Sequence, residues 1–392
     1  ANSFVLSFAA DEKQKAADIS RTGMYIITIM VLVAMFISLL VIFILDYYNV
    51  FEKSLIDREE AILAVSILIF ARLLLFYIQL IESYFRAAQK AALSINLLTM
   101  RAVLNLGVGL LVLLYGYGVV EFALSQLLVI IIFYVYYWIK GKQVLGLFDK
   151  YKGKRDKVIL KEITKKGLGY MMSPIWQAIY FQGTTFVVRV VLGPEAVAIF
   201  NTVRTLSRSM NQLFFMVKTS VFPELQYEIG KHNWETAKKV FRISLLSVFS
   251  MSLIGFVFLA LFGLWFYALW TNNELEVPKP MWFVFLAGMV FNAVWWTAEM
   301  VFAVVNKPYK MAVYGLVVAI ISVFLSYVLS MQFGLVGAAI GSVSLDFVLV
   351  LLIIPYACGL MQMSVKELFT NGVEDFQNIY SGVKFKIRKI RG

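Results

Sequence analysis

The sequence has 392 residues, of which 61% are hydrophobic and only 15% are charged, whereas an average soluble domain is about 45–50% apolar and about 25% charged. This composition predicts an all-α polytopic membrane protein, because each spanning helix needs about 20 apolar residues. Ten such spans would leave only short connections, which excludes a large soluble catalytic domain. One cysteine, Cys358, and one histidine, His232, argue against a disulfide, a zinc site or thiol chemistry. We therefore expect no enzyme activity, no metal and no cofactor.

Ten apolar runs are long enough to span a membrane, and their bounds are 22–45, 61–82, 94–114, 118–139, 168–192, 196–220, 240–268, 281–304, 309–330 and 335–357. Of the 36 Lys and Arg residues, 27 fall in one set of alternate connections or at the termini, and 3 fall in the opposite set. By the positive-inside rule, this asymmetry places both termini in the cytoplasm. The same rule explains the net charge of +12, so we expect no nucleic-acid partner.

The sequence contains an internal repeat at an offset of 217 residues. This offset superposes Glu82, Phe85 and Lys90 on Glu299, Phe302 and Lys307. It also superposes the first four spans on the last four, and the members of each pair run in the same direction. The spans at 168–192 and 196–220 then lack counterparts. We therefore expect two further helices to precede Ala1, in a parent protein of twelve spans arranged as two six-helix bundles.

The repeat divides the chain into four predicted parts. They are an N-terminal bundle at 1–139 that holds spans 3–6 of the twelve, and a basic cytoplasmic linker at 140–167. A C-terminal six-helix bundle at 168–357 and a basic cytoplasmic tail at 358–392 follow. A tail of this composition is expected to lie against anionic lipid headgroups. Membrane lipids are therefore predicted partners.

Six basic residues inside the predicted spans are the main functional signal. They are Arg72, Arg101, Arg189, Arg204, Arg208 and Lys218. A basic residue near the centre of a spanning helix costs about 2.5–3.5 kcal/mol on insertion scales, and it almost always faces protein or water. Arg189 and Lys218 lie near helix ends, where snorkelling to the interface is the favoured explanation. The excess of cations over embedded acids predicts an anionic substrate in a central cavity.

The span at 196–220 has one polar face if it is a continuous helix. Residues that fall within about 140° of its circumference include Arg204, Arg208, Asn211, Gln212 and Lys218. Arg204 and Arg208 are one turn apart, and such a like-charge pair disfavours the helix unless an acid or an anionic ligand neutralises it. A surface amphipathic helix is the alternative, but the three-residue turn before this span argues for an inserted hairpin. We interpret the face as substrate-binding.

Embedded acids are fewer than embedded bases. Asp346 lies inside the last span, and Glu299 lies near the cytoplasmic end of its own span. Asp346 is a candidate proton or sodium coupling site, but pairing with one of the arginines is the favoured interpretation. Glu299 and its repeat equivalent Glu82 are interpreted first as partners of basic residues in loops. Glu299 is also a candidate for ion coupling.

Three segments carry a family resemblance. They are LGPEAVAIFNTVRTLSRSMNQLFFMVKTSVFPELQ at 192–226, Asn306-Lys307-Pro308, and GLVGAA from Gly334 to Ala339. In these segments the chain resembles the polysaccharide transporter branch of the multidrug/oligosaccharidyl-lipid/polysaccharide exporter (MOP) superfamily, which contains the Wzx-type lipid-linked oligosaccharide flippases. The patterns identify the superfamily better than they identify the substrate.

This resemblance implies two six-helix bundles in a parallel pseudo-two-fold repeat around a central cationic cavity. It implies that the protein lies in the bacterial cytoplasmic membrane and flips an anionic polyprenyl-pyrophosphate-linked oligosaccharide by alternating access. The glycan would serve surface polysaccharide biosynthesis (O-antigen, capsule or exopolysaccharide), with polysaccharide polymerase machinery as a partner. Arg72 and Arg208 are expected to hold the pyrophosphate or an acidic sugar. Lys218 and Arg101 are expected to receive it from the cytoplasm, and Arg204 and Arg189 to pass it outward.

Three alternative functions remain open at the level of sequence. A multidrug or cation exporter of the same superfamily would be expected to bind its cargo with embedded acids. A lipid II flippase shares the cationic cavity but is expected to carry two extra C-terminal helices. A membrane-bound glycan polymerase or ligase would need a long external loop that carries reactive groups, and the longest predicted external loop is 46–60.

Overall fold

The computed structural model describes residues 1–49, 51, 56–372, 374 and 375, and this part of the chain is helical without strands. Its twelve helices are α1 (Asn2–Ala9), α2 (Lys13–Tyr47), α3 (Arg58–Ala87), α4 (Ala91–Leu114), α5 (Val119–Leu145), α6 (Lys157–Leu192), α7 (Pro194–Ser207), α8 (Asn211–Gly230), α9 (Trp234–Trp270), α10 (Lys279–Ala298), α11 (Met300–Val304) and α12 (Pro308–Leu360). Seven helical segments are long and apolar enough to cross a membrane: α2, α3, α4, α5, α9, α10 with α11, and α12. The predicted all-α class is confirmed, whereas the count of ten spans stays a prediction.

The chain divides into two compact units, Ala1–Ile163 and Thr164–Gly392. In the first unit, α3 packs mainly along α5. Its buried core includes Phe85 and Tyr137, whose ring centroids are 4.7 Å apart. The Tyr137 and Ser94 hydroxyls lie 2.6 Å apart and share a hydrogen bond, so α4 is tied to α5 and the buried phenol keeps a polar partner.

The second unit is built on α9, α10 and α12. Glycines let these helices approach closely, as is common between membrane helices. Gly263 of α9 lies against the indole of Trp282 on α10, and a Cβ at Gly288 of α10 would lie 2.7 Å from Val343 of α12. Trp282 is fully buried within the core cluster of this unit. The packing fixes α10 against the part of α12 that carries Asp346.

Helix α12 reverses direction at Gly334. This residue has φ 58° and ψ −136°, a conformation that residues with a side chain rarely adopt. The Ser322 hydroxyl donates to the Gly341 carbonyl at 2.7 Å, and the Ser326 hydroxyl donates to the Ala338 carbonyl at 3.3 Å. The two limbs of α12 therefore run antiparallel, and they coincide with the last two predicted spans.

The predicted span at 196–220 is not one helix. Helix α7 ends at Ser207, α8 begins at Asn211, and a turn occupies 208–210. The single polar face deduced for a continuous helix is therefore wrong, because the turn interrupts the helical phase. Arg208 lies in this turn.

Helices also extend into the predicted linker at 140–167. Helix α5 continues to Leu145, and α6 begins at Lys157. Asp156 accepts hydrogen bonds from the backbone N–H groups of Val158 and Ile159, at 2.6 and 3.0 Å, and so caps the start of α6. Only the residues between these two helices form a connection.

The structure contains one helix that the sequence did not predict, and it leaves parts of two predicted segments undescribed. Helix α1 has no counterpart among the predicted elements, because eight residues are too few to register as a span. Of the predicted basic tail, residues 373 and 376–392 lie outside the described residues, as do 50 and 52–55 in the predicted external loop.

Candidate functional site

A buried ion pair joins the turn between α7 and α8 to the second limb of α12. Nη2 of Arg208 lies 3.1 Å from Oδ2 of Asp346. Asp346 is 1% exposed, and its Oδ1 accepts hydrogen bonds from Nδ2 of Asn292 and Nε1 of Trp295, at 2.9 Å each. Nη2 of Arg208 also donates to the Tyr180 hydroxyl at 3.2 Å. Helices α6 and α10 thus complete the surroundings of the pair.

The pairing decides how the charge of Arg208 is compensated. Of the two interpretations of Asp346, the structure supports pairing with an arginine, and ion coupling by Asp346 stays a prediction. Removing either partner would leave the other as an uncompensated charge away from bulk water, which is strongly unfavourable. The pair therefore holds the 208–210 turn to α12 and cancels the charge of Arg208 within the unit.

Arg204 is held without a carboxylate. It is 9% exposed. Its Nη1 donates to the Thr184 hydroxyl at 2.9 Å, and its Nη2 donates to the Thr185 hydroxyl at 2.9 Å and to Oδ1 of Asn201 at 2.6 Å. Within the described residues, Arg204 takes part in no ion pair. Its positive charge is satisfied by neutral oxygens but is not cancelled.

The Phe181 ring lies beside both guanidinium groups. Its centroid is 5.2 Å from Cζ of Arg204 and 5.0 Å from Cζ of Arg208. Cation–π attraction of this kind contributes about 0.5–2 kcal/mol. The like-charge conflict predicted for Arg204 and Arg208 is thus relieved by an acid on one side and by an aromatic ring shared between the two.

Lys218 and Glu299 form a second ion pair in the same unit. Nζ of Lys218 lies 3.1 Å from Oε2 of Glu299, and both side chains are 20% exposed. Nζ also lies 5.0 Å from the centroid of the Trp296 ring. The prediction that Glu299 pairs with a loop residue is wrong, because Lys218 lies within α8. Ion coupling by Glu299 stays a prediction.

The first unit contains two cations that lack acidic partners among the described residues. Arg101 on α4 has a buried Nε without a hydrogen-bond partner, and its Cζ lies 5.9 Å from the Phe133 ring centroid. Arg72 on α3 is exposed and takes part in no ion pair within the described residues. We call these two uncompensated guanidinium groups the cationic patch.

A cavity of about 200 Å³ lies in the second unit beside the Arg208–Asp346 pair. It is lined by Trp176, Gln177, Tyr180, Phe181, Arg208, Asn211, Asn292, Trp295, Trp296 and Leu345. Aromatic and amide-bearing side chains make up most of this lining. Helices α6 and α10 supply most of the wall, and the α7–α8 turn, α8 and α12 supply the rest.

Besides Arg208, one predicted site residue lines this cavity, and it is Asn211. The neighbouring Gln212 is exposed and does not line it. Arg189 is exposed near the end of α6. Lys218 does not line the cavity, but its Nζ lies 5.0 Å from the centroid of the Trp296 ring, which does.

Sequence reasoning missed most of the aromatic and amide lining. Those residues are Trp176, Gln177, Tyr180, Phe181, Asn292, Trp295 and Trp296. A signal was available, because Trp176 and Tyr180 are four residues apart and Asn292 is three and four residues from the two tryptophans that follow it. Such spacings place side chains on one helical face.

Comparison with known proteins gives the fold and the family. A family model described as polysaccharide biosynthesis protein matches residues 4–226. No curated protein matches the sequence. A MATE crystal structure in the bent conformation aligns with a TM-score of 0.77 at 16% identity, over 95% of this chain and 83% of that chain.

Two other solved structures are similar over most of their length. A MOP superfamily transporter from Pyrococcus furiosus, described as having a binding pocket of reverse polarity that suggests a different function, aligns with a TM-score of 0.71 at 15% identity, over 94% of this chain and 82% of that chain. An outward-facing multidrug resistance MATE family transporter aligns with a TM-score of 0.70 at 16% identity, over 92% of this chain and 82% of that chain. At these identities, the similarity establishes the fold alone.

The family model covers more than half of the chain, and the described helices have the fold of MATE transporters. Seven of the helical segments are apolar enough to cross a membrane. The chain is thus a multi-pass membrane protein that has the fold of MATE transporters and belongs to the polysaccharide biosynthesis protein family.

Proposed function

We propose that the protein flips an anionic polyprenyl-pyrophosphate-linked oligosaccharide across the bacterial cytoplasmic membrane by alternating access. The flipped glycan would serve the biosynthesis of a surface polysaccharide, and the machinery that polymerises it would be the functional partner. Family and fold indicate a transporter of the MOP superfamily rather than an enzyme. The polyprenyl tail need not leave the bilayer, so the protein has only to shelter the charged headgroup.

The observation that carries this proposal is the excess of uncompensated cations in the helices. Of the six basic residues that the sequence analysis placed within spans, Arg208 and Lys218 are each paired with a carboxylate. The other four, which form no ion pair within the described part of the chain, are Arg72, Arg101, Arg189 and Arg204. Cations that membrane helices retain without acidic partners favour an anionic substrate.

The pairing of Arg208 shifts the proposed pyrophosphate site to the first unit. Arg208 and Arg72 were the expected anion-binding residues at mid-depth, but the charge of Arg208 is cancelled by Asp346. Arg72 and Arg101 have no such partner, and the buried Nε of Arg101 lacks an acceptor. A pyrophosphate oxygen would satisfy that donor, because guanidinium groups bind phosphate through charge-assisted, bidentate bonds.

The main alternative within the superfamily is a multidrug or cation exporter. A cationic cargo would need a free embedded acid, yet Asp346 and Glu299 are both already paired with basic residues. Glu82 also lies 3.7 Å from Arg86. The pairing of these three acids therefore favours an anionic cargo over a cationic one.

The proposal can be tested in a flippase-deficient bacterium that carries the intact gene. We expect the wild-type protein to restore glycan on the cell surface and the double variant Arg72→Ala, Arg101→Ala to restore less than about a tenth of it. A matched control is Lys161→Ala with Lys239→Ala, which removes the same charge from exposed positions. Equal rescue by both double variants would show that Arg72 and Arg101 do not form the anion site. If the wild-type protein restores no glycan, the proposed substrate is wrong.

A further inference from the structure

The cavity beside the Arg208–Asp346 pair has a chemistry different from that of the cationic patch. Its charged groups are already matched, because Asp346 neutralises Arg208 and Glu299 neutralises the adjacent Lys218. The remaining polar lining is made of amides, the Tyr180 hydroxyl and tryptophan indole N–H groups. The cavity therefore offers no net charge with which to hold a phosphate.

Two buried carbonyl oxygens in the cavity wall lack hydrogen-bond donors. They are Oδ1 of Asn211 and Oδ1 of Asn292. Buried polar atoms are nearly always paired, so each such exception requires an explanation. An acceptor needs a donor, and a phosphate or pyrophosphate that is ionised supplies none. These oxygens therefore oppose an anionic phosphate in this cavity.

Donors are also available at the cavity. Among the described residues, neither Gln177 nor Asn211 makes a side-chain hydrogen bond to protein, so both amide NH₂ groups are free. Arg208 uses only Nη2 for its bonds to Asp346 and Tyr180. A ligand here must both donate and accept, as a hydroxyl does. A cationic ligand could satisfy the carbonyl oxygens, but the guanidinium of Arg208 would repel it.

The size and the walls of the cavity narrow the ligand further. A volume of about 200 Å³ corresponds to roughly seven water molecules at about 30 Å³ each. This is room for one six-membered sugar ring. Trp176, Trp295 and Trp296 supply apolar aromatic surface, which suits the C–H groups of such a ring.

We propose that this cavity binds one uncharged sugar ring through its hydroxyl groups. The inference rests on the proposed function, because a sugar ring is a part of the glycan that the proposed function transports. Asn211 and Gln177 exchange hydrogen bonds with the hydroxyls of the ring. The sugar displaces water from the cavity and gives donors to the two unpaired carbonyl oxygens.

Saturation-transfer NMR on the full-length protein in lipid nanodiscs tests this site directly. The probes are glucose, galactose and N-acetylglucosamine, with inorganic pyrophosphate as a competitor. We expect saturable binding of at least one sugar that excess pyrophosphate does not displace. Asn211→Ala should weaken this binding about fivefold to tenfold, as expected for one lost hydrogen bond, and Asn211→Ala with Gln177→Ala should abolish it.

Ser220→Ala is the matched control on the same helix. Its side chain is exposed, lies outside the cavity and bonds only to the Met216 carbonyl, so its sugar affinity should equal that of wild type. The Asn211 side chain makes no bond to protein, so a loss of affinity in Asn211→Ala with an unchanged melting temperature is not a folding effect.

Three results would overturn the assignment. They are no saturable binding of any of the three sugars, unchanged affinity in Asn211→Ala, and displacement of the sugar by pyrophosphate. The outcome is separable from that of the proposed function. Sugar binding by a protein that does not restore surface glycan would leave the cavity assignment standing and remove the flippase, whereas restored glycan without sugar binding would do the reverse.

Discussion

Arg204 and Arg208 are four residues apart, yet the protein stabilises their charges in different ways. Arg208 has a carboxylate partner at 3.1 Å, whereas Arg204 is surrounded by hydroxyl and amide oxygens from Thr184, Thr185 and Asn201. A buried ion pair is sensitive to loss of one member, because the remaining charge stays desolvated. The stabilisation of a guanidinium among neutral acceptors depends instead on its planar geometry, which directs several N–H groups at those acceptors.

Asp346→Asn tests the ion pair. We expect this change to lower the free energy of unfolding by about 3–5 kcal/mol, because Arg208, whose side chain is 20% exposed, would lose its counter-charge. The measurement is reversible unfolding of the purified full-length protein in mixed micelles. Adding Arg208→Gln to Asp346→Asn should recover part of the loss, since both charges are then gone. If the double variant is less stable by the sum of the two single losses, the two residues do not act as a pair.

Arg204→Lys tests the role of the guanidinium fork. A single ammonium cannot reach acceptors on both sides as Nη1 and Nη2 do, so we expect a loss of about 1–3 kcal/mol in the free energy of unfolding from unsatisfied buried groups. The same substitution at the exposed Arg189 should change it by less than about 0.5 kcal/mol. Equal stability of Arg204→Lys and wild type in a thermal unfolding assay would argue against the geometry described for this site.

At the scale of elements, the hairpin in α12 positions Asp346. The reversal at Gly334 brings the second limb back along the first, and the contact is close enough that a Cβ at Gly337 would collide with the carbonyl oxygen of Leu329. Ser322 and Ser326 hydrogen-bond across the two limbs. The absence of a side chain at Gly337 is therefore required for the hairpin to close.

Gly337→Ala tests this requirement. We expect a loss of about 1–3 kcal/mol in the free energy of unfolding, because the added methyl group forces the limbs apart. Gly107→Ala is the control, since a Cβ at Gly107 would meet nothing within 4 Å and alanine is favoured over glycine in a helix by up to about 1 kcal/mol. Comparison of the two melting temperatures in detergent checks the prediction, which fails if Gly337→Ala melts at or above the temperature of Gly107→Ala.

The long apolar helices could be predicted from the sequence, but the break between α7 and α8 could not. Hydropathy decides where a helix can lie in a bilayer, and it needs only local information. Arg208-Ser209-Met210 contains neither proline nor glycine, so nothing local ends the helix there. The bond from Arg208 to Asp346 spans 138 positions of sequence, and such a tertiary contact overrides local helical preference.

The charges of the candidate site could be predicted better than its shape. Arg204, Arg208 and Asp346 attract notice in the sequence because ionisable residues are costly in a membrane helix. Trp176, Trp295 and their neighbours do not, since aromatic residues are common in apolar helices and only the packing of α6 against α10 gathers them around a cavity. The cationic character was therefore accessible to sequence reasoning, and the amide and aromatic lining was not.

At the scale of the whole molecule, the two compact units carry different chemistry. The first unit contains the uncompensated pair Arg72 and Arg101, and the second contains neutralised charges beside an aromatic cavity. The helix bounds are compatible with the predicted repeat, because α4 begins at Ala91 and α12 begins 217 residues later at Pro308. The repeat itself stays a prediction.

Transport by the reconstituted protein tests most directly whether it flips an anionic lipid-linked glycan. The full-length protein would be placed in proteoliposomes that contain a polyprenyl-pyrophosphate-linked oligosaccharide, and the headgroup accessible to an impermeant lectin would be followed over time. We predict exchange between leaflets far faster than in protein-free liposomes, with no transport of a cationic dye by the same vesicles. Exchange at the protein-free rate, or transport of the dye without the glycan lipid, would contradict this prediction.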